Sequence, residues 1–505
     1  MTPDAAGRLP SPGSSYDVLV IGGGITGAGI ARDAALRGWR TLLVEKDDFA
    51  SGTSSRSSRL VHGGLRYLEH GQLGLVFESS NERRRLLRLA PHLVHPLAFT
   101  WPVYRGARLP LWKVNAGVTL YDALALFRNV HRHELLRAAA VQRAEPTLDA
   151  RHLSGGVRYW DAHTDDARLT LANALDAERA GATVLNHVTV TALRMQGATA
   201  DGARLRCTLS GAETEVQARA IVNATGPWSD SVRALEGAAA RPSVRGSKGV
   251  HILVPRERVG NRDALTLLHP DDGRVMFALP AGTFTIFGTT DTYADESPDS
   301  VRASAADVDY LLTAANAFFP AAALSRADVV SAWAGIRPLV AASGDTPGAA
   351  SREHAIEVTP AGVVTITGGK LTTYRIMAAQ VVDAVERRLG VRHRCITGTT
   401  PLGDDTARRE AACTGADSAR VDPALEWRFG DLAFAVAHEH ARTLGDLLIR
   451  RTKLAFERRD NGLGIGPDVA RRVAPLLGWT EQDQRAEVER FAEEVRRIFG
   501  AGAGA

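Results

Sequence analysis

Apolar positions recur along this chain with two periods, and the change from one to the other divides it. Near the start, the run from Tyr16 through Val18, Leu19, Val20 and Ile21 is short and apolar. It ends in a glycine cluster and passes into helical spacing over residues 25–37, with Gly38 placed to stop the helix. Residues 39–45 read as a second buried strand. Strand-then-helix patterns return at 158–173 and at 363–389, and buried strands at 183–190 and 218–222. Between them, residues 244–291 alternate with period two around turn residues, as in 251–255, 275–280 and 285–291. This predicts a mostly antiparallel sheet. A helix over 305–319 and a strand over 329–340 follow. From about Gly398 onward Arg, Glu and Ala dominate and helical spacing prevails over 425–444, 446–456, 467–477 and 480–499. Residues 1–15 read as a disordered lead-in and 500–505 as a frayed tail.

The pattern predicts an α/β protein with a Rossmann-like dinucleotide-binding part, an interleaved antiparallel-sheet domain and a C-terminal all-α domain. The expected boundaries are 16–95, 160–235 and 345–395 for the first part. They are 96–159 and 236–344 for the second, and 398–499 for the helices. At 505 residues the chain exceeds one ordinary core, so two or three domains are expected. Composition changes this picture little. Hydrophobic residues make up 45% and charged residues 23%, and the net charge of +4 indicates neither a nucleic-acid partner nor a disordered acidic region. Cys207, Cys395 and Cys413 are widely spaced, with no metal-ligand pattern, so a reducing compartment and no metal are expected. No apolar run reaches the length of about 18 residues that spans a bilayer, and the lead-in lacks a signal-peptide pattern.

The glycine cluster is the first chemical signal. Gly22 allows a tight turn, Gly24 lets backbone approach a pyrophosphate, and Gly27 lets the helix pack close to the strand. The helix start offers free N–H groups and a partial positive charge. Glu45 sits where a carboxylate binds ribose hydroxyls, about 20 residues on. The hydroxyl- and glycine-rich run 48–67 is unusual after a ribose acid; small residues let backbone approach rings and phosphates closely. A long cofactor with its reactive ring buried at depth explains such a run, and an ordinary polar surface loop is the alternative. Residues 78–88 read as a solvated basic helix face. Residues 101–121 mix aromatics, aliphatics and cations, which suits a membrane interface and equally suits ordinary packing between domains.

Three blocks together resemble the FAD-dependent glycerol-3-phosphate dehydrogenases. They are Ile21 through Asp33, Arg37 and Gly38; Thr53 through His62, Arg66 and Glu69; and Gly368 through Lys370, Tyr374 and Arg375. The stretch from Glu439 to Lys453 is similar to the C-terminal domain of that family, so the resemblance covers nearly the full length. It implies FAD as cofactor, with cofactor contacts from Gly22, Gly24, Gly27, Glu45, Ser54, Ser55, His62, Gly63, Val188, Thr225, Gly226, Gly369, Leu371 and Thr372. It implies oxidation of glycerol 3-phosphate at C2 to dihydroxyacetone phosphate. Arginine forks suit phosphate oxygens, so Arg66, Arg337, Arg352 and Lys370 are the expected substrate-binding cations. Arg375 is expected to pair internally. His251 is the favoured base, and His62 is expected beside the flavin; either reads also as a structural histidine. Arg337 and Lys370 are alternative polarisers of the hydroxyl. The resemblance further implies membrane quinone as acceptor and a peripheral place on the inner face of the cell membrane, and it leaves room for a homodimer. An oxygen-using glycerol-3-phosphate oxidase, an amine or amino-acid oxidase of the same superfamily and a non-catalytic flavin protein are the competing readings.

Overall fold

The computed structural model describes residues 9–237, 244–294, 296–340 and 353–500. Among them two sheets position everything else. The first runs in the order His354–Val358, Val364–Gly368, Glu213–Asn223, Ser14–Ile21, Thr41–Val44, Thr183–Leu185. Apart from the antiparallel edge strand His354–Val358, these neighbours are parallel. The strands read as almost unbroken Val, Leu and Ile because both faces are covered. Val18 and Val20 pack under the helices Ile25–Leu36, Asp166–Arg179 and Tyr374–Leu389, while Leu19 and Ile21 face the hairpin Val188–Gln196 and Thr199–Cys207. Arg37 fastens the first helix to the last of these. Its guanidinium pairs with Asp33 at 2.7 Å and Glu386 at 2.9 Å and donates to the Ala379 carbonyl. The motif residues Asp33 and Arg37 thus brace helices.

The second sheet runs Thr292–Tyr293, Val244–Pro255, Phe284–Gly288, Val275–Ala281, Ala264–Leu268, Val94–Tyr104, Leu153–Thr164, Leu60–Val61. Ser331–Val340 also pairs with Val244–Pro255, and Glu134–Arg137 with Leu153–Thr164. One pairing is parallel, that of Ala264–Leu268 with Val94–Tyr104. The strand Leu60–Val61 pairs antiparallel with Leu153–Thr164. The hydroxyl-rich run therefore leaves the first sheet and ends in the second, which makes it the hinge line between them.

Several local expectations change. The first strand begins at Ser14, inside the segment read as disordered. The 183–190 strand is two strands, split at Asn186 and at His187, which has φ of 57°. Residues 101–121 are the end of the strand Val94–Tyr104, with Trp101 buried, and most of the helix Leu111–Leu124, with Trp112 exposed at 72% and Tyr121 fully buried. The basic stretch 78–88 is not simply a solvated face: in the helix Leu73–Leu89, Glu82 and Arg83 are buried.

In the C-terminal region the helix predicted over 425–444 is Phe429–His438, and 446–456 is a wide turn Asp446–Arg451 followed by Leu454–Glu457. The buried Asp446 explains the break. Its carboxylate accepts from the Arg442 and Thr443 amides and the Thr443 hydroxyl, which satisfies backbone donors outside a helix. The same carboxylate meets His187 at 3.0 Å and Arg450 at 2.8 Å. Asp48, just beyond the second strand, takes Arg450 and Arg451. Asp48, His187 and Asp446 come together as metal ligands would, but the two guanidiniums already neutralise the carboxylates. The helices also share a core with the second sheet, where Phe456 sits edge-on to Trp333 at 5.1 Å and to Phe499 at 5.0 Å. The chain from 501 on lies outside the described residues.

Candidate active site

Two cavities meet where the sheets meet. The first, of about 450 Å³, is lined by Gly22, Gly24, Glu45, Ser54, Val188, Thr225 and Gly226, among others. It lies at the carboxyl ends of the parallel strands, where ligands bind in open α/β sheets. The second, of about 280 Å³, lies against the second sheet and is lined by Ser58, His62, Arg66, Tyr67, His251, Arg337 and Thr372, among others. Thr53, Ser54, Gly369, Lys370 and Leu371 line both. The two are one elongated space with a waist.

The glycine turn is built as its spacing predicts, with a division of labour. A Cβ on Gly27 would fall 1.8 Å from the Gly22 carbonyl oxygen, so Gly27 packs helix on turn and does not line the space. Gly22 has φ of 105°. Gly24 is the extended residue before the helix and carries no side-chain cap. Ser54 Oγ accepts from the Ile25 amide at 2.9 Å, so the serine run closes over the helix start. Glu45 is buried and accepts from the Gly23 amide at 2.6 Å and the Asp47 amide at 3.0 Å. Burial pushes its carboxyl up to about 7, with the two amides opposing. Val188 donates to the Glu45 carbonyl at 2.7 Å, which ties the hairpin to the same corner.

At the other end the polar groups are side chains. Arg337 is aimed by four partners: Asp291 at 3.2 Å, Ser247 at 3.3 Å, Thr289 Oγ1 at 2.9 Å and the Thr290 carbonyl at 3.2 Å. Gly249 on the neighbouring strand makes room for it; a Cβ there would lie 2.2 Å from the guanidinium. Lys370 extends over the Tyr67 ring, 3.9 Å from its centre, and reaches Ser79 Oγ at 3.3 Å. His62 is pinned through its backbone, which donates to and accepts from Thr372 Oγ1 at 3.0 and 3.1 Å. Burial, then Lys370, Arg83 and Arg66, push the His62 imidazolium down to about 3. Burial, then Arg337 and Arg59, push His251 down to about 3 as well. Both imidazoles are neutral at neutral pH, and the surplus positive charge around them suits a dianion.

Some expected contacts lie elsewhere. Ser55 is buried with its hydroxyl toward the Gly52 carbonyl. Gly63 is buried behind His62; its amide donates to Tyr121 Oη at 2.7 Å, and Tyr121 in turn donates to Asp161 at 2.7 Å. Arg352 lies outside the described residues. Arg375 pairs internally, with Glu82 at 2.7 Å through two nitrogens. The neighbouring acids Asp165 and Asp166 take different tasks: Asp165 caps the helix Asp166–Arg179, and Asp166 accepts from the Ser57 amide and hydroxyl. Sequence reading missed Ser58, Tyr67, Gly249 and Asp291. Ser58 and Tyr67 carried a signal, since both stand in the resembling block from Thr53 to Glu69; Gly249 and Asp291 become visible once the strand register is known.

The space fits a flavin dinucleotide: a glycine-lined cradle with exposed helix amides and a ribose acid, opening into a cation-lined chamber. Residues 17–375 match the family described as FAD dependent oxidoreductase, and residues 403–484 the C-terminal domain of alpha-glycerophosphate oxidase. Glycerol-3-phosphate dehydrogenase 2 of Mycobacterium tuberculosis is 39% identical over 95% of this chain and 88% of its own length. The aerobic glycerol-3-phosphate dehydrogenase of Staphylococcus haemolyticus is 39% identical over 95% of each chain. A solved glycerol-3-phosphate dehydrogenase from Bacillus halodurans, complexed with FAD, superposes with a TM-score of 0.79 at 30% identity, covering 98% of this chain and 97% of its own. The molecule is an FAD-dependent oxidoreductase in class. Within that class, the chain belongs to the glycerol-3-phosphate dehydrogenase family.

Proposed function

We propose that the protein oxidises glycerol 3-phosphate at C2 to dihydroxyacetone phosphate and passes the electrons to membrane quinone. One observation supports this most: Arg66, Arg337 and Lys370, from three separate segments, line one chamber with two neutral histidines. A substrate phosphate takes charge-assisted hydrogen bonds from such cations. FAD, when bound, supplies the hydride acceptor, N5. Gly22, Gly24 and the helix start hold its pyrophosphate end and Glu45 its ribose. Gly369, Leu371 and Thr372, with His62, flank the waist where the ring belongs. In this reading the phosphate dianion offsets the cations that depress His251, so His251 gains proton affinity when substrate is in place. An amine or amino-acid oxidase has no use for three cations on one small carboxylate. The test is anaerobic bleaching of the yellow protein. Glycerol 3-phosphate is expected to bleach it and sarcosine to leave it oxidised; the reverse outcome overturns the proposal.

For the acceptor, we place the protein on a membrane surface. Among the described residues no helix is long and apolar enough to cross a bilayer. Trp112, Leu120, Phe127 and Leu135 are exposed at 72, 43, 55 and 57%. Arg105, Arg108, Lys113, Arg128 and Arg132 are exposed in the same stretch. That mixture suits the headgroup boundary. A second reading, oxygen as acceptor, draws on the C-terminal match to a glycerophosphate oxidase domain. Turnover with a soluble quinone against oxygen decides between them, and faster turnover with oxygen sinks the quinone assignment.

A further inference from the structure

A third cavity, of about 460 Å³, lies on the far side of the segment 58–60 from the substrate chamber. It is a groove of mixed lining between the second sheet, the helix Asp166–Arg179 and the C-terminal region, and its polar groups include His92, His95, His163, Asp165, Lys453 and Glu457. Two residues line both this groove and the substrate chamber, Ser58 and Leu60. Of these, only Ser58 has a proton to move. Its Oγ is 2.8 Å from His251 Nε2. The other ring nitrogen, Nδ1, is buried with no hydrogen-bond partner among the described residues. The imidazole stacks on Trp333, ring centres 5.5 Å apart, which fixes its plane. Ser58 and His251 both line the substrate chamber, and the Ser58 hydroxyl engages Nε2 of the ring.

We propose that Ser58 is a proton relay between the substrate, His251 and the groove. The substrate hydroxyl gives its proton to Ser58 Oγ as the Ser58 proton passes to His251 Nε2. FAD, when bound, would supply the acceptor for the hydride that leaves C2 as the C2–O bond becomes a carbonyl. His251 then returns its proton through the same hydroxyl to the groove. The surroundings favour that return. Arg337 faces His251 from the chamber. Arg59, which has φ of 56°, stands over the Trp333 and Phe456 rings at 5.6 and 5.3 Å, and its Nε and Nη2 have no acceptor. These two charges oppose an imidazolium at rest. On the groove side His163 stands opposite Leu60 in the strand register, and His95 opposite His163 with rings 5.5 Å apart. Burial and His95 hold His163 below its ordinary value, and its ring lines the groove. A groove of this size with several polar groups is roomy enough for bridging water.

The inference rests on the proposed oxidation, and the test separates the two. Flavin bleaching by glycerol 3-phosphate is followed anaerobically by stopped flow, in H2O and D2O, for the wild type, Ser58→Ala and Ser58→Thr. Ser58→Ala is expected to keep its flavin and slow bleaching roughly tenfold or more. Its proton inventory should become linear where the wild type is curved, and Ser58→Thr should restore rate and curvature. Ser58→Ala bleaching within about twofold of wild type, with an unchanged solvent isotope effect, overturns the relay. If Ser58→Ala loses flavin, Ser58→Cys is measured by the same isotope criterion, and an unchanged effect there overturns it equally. A wild-type protein that glycerol 3-phosphate does not bleach sinks the oxidation itself.

Discussion

The two ends of the joined cavity recognise their ligands by different means. At the first-sheet end the working groups are backbone amides, a helix start and one carboxylate, all from 22–27 and 45. At the second-sheet end they are side chains from 58–67, 249–251, 337 and 370, brought together by strand register and held by partners outside the motifs. The first end is specified by one local stretch and tolerates little change in it. The second is specified by topology, and each member depends on a neighbour that aims it: Asp291 on Arg337, Tyr67 under Lys370, Ser58 against His251.

The largest effect should come from the local end. A Gly27→Ala side chain would meet the Gly22 carbonyl oxygen at 1.8 Å, a backbone atom that cannot swing aside. Overpacking of this kind costs about 3 kcal/mol. The flavin-to-protein ratio and the denaturation midpoint should both fall. Gly24→Ala meets only Ser54 Oγ, at 3.2 Å, and should lose flavin affinity with much less stability. Equal losses for the two variants would break the distinction drawn between packing and cradle.

Next comes the assembled end. Arg337→Ala removes one of the cations proposed to hold the phosphate and takes the guanidinium away from its ion pair with Asp291. Truncating one member of such a pair costs 2–5 kcal/mol, so kcat/KM for glycerol 3-phosphate should fall about a hundredfold or more while flavin stays bound. Wild-type kinetics would remove Arg337 from the site.

Legibility in the sequence follows the same division. The parallel strands, the glycine turn and Glu45 are readable because a strand, a turn and a helix start are each short-range events. The antiparallel second sheet is readable in kind from period-two alternation. Its order is not, since Leu60–Val61 joins it from the middle of a polar run. Arg66, Arg337 and Lys370 are readable only through resemblance, because nothing local distinguishes them from the many other arginines and lysines of this chain. Asp291 is invisible, since its role arises from a cross-strand distance, and Ser58 stands in the resembling block without any sign there of its contact with His251. The end of the 425–444 helix at His438 is unreadable for a third reason: the buried Asp446 carboxylate captures the Arg442 and Thr443 amides that helical spacing assigns to the helix.

A smaller effect tests the electrostatics of the cradle. Glu45 is raised by burial from 4.5 to about 7. The folded state then binds this proton more tightly than the unfolded chain. The stability it contributes is full below pH 4.5 and is lost as pH rises through 7. For flavin-free protein that amounts to about 3 kcal/mol across the window. Glu145 and Glu487, also pushed up to about 7, act in the same direction. His62 and His251, pushed down to about 3, act in the opposite direction over part of the window, so the prediction concerns the difference: relative to wild type, Glu45→Gln should gain about 3 kcal/mol of stability between pH 4.5 and 7. An unchanged slope would show that Glu45 is already ionised in the folded state. The Gly23 and Asp47 amides would then outweigh burial.

The smallest effect on chemistry is predicted at the surface proposed for the membrane, which touches neither end of the cavity. Trp112 stands out from the helix Leu111–Leu124 at 72% exposure, while Val114, Val118 and Tyr121 of the same helix are buried. Its ring is thus free of the core, and replacing it leaves the packing intact. Burying such a ring at a headgroup boundary is worth about 1.5–3 kcal/mol. Trp112→Glu loses that and adds a charge repelled by anionic lipid, so flotation with anionic vesicles at low salt should fall roughly tenfold or more. Flavin content and turnover with a soluble quinone should stay within about twofold, since the chamber is unaltered. Undiminished flotation would move the membrane contact off this helix. A matching loss of soluble-quinone turnover would mean that Trp112 serves the acceptor rather than the lipid.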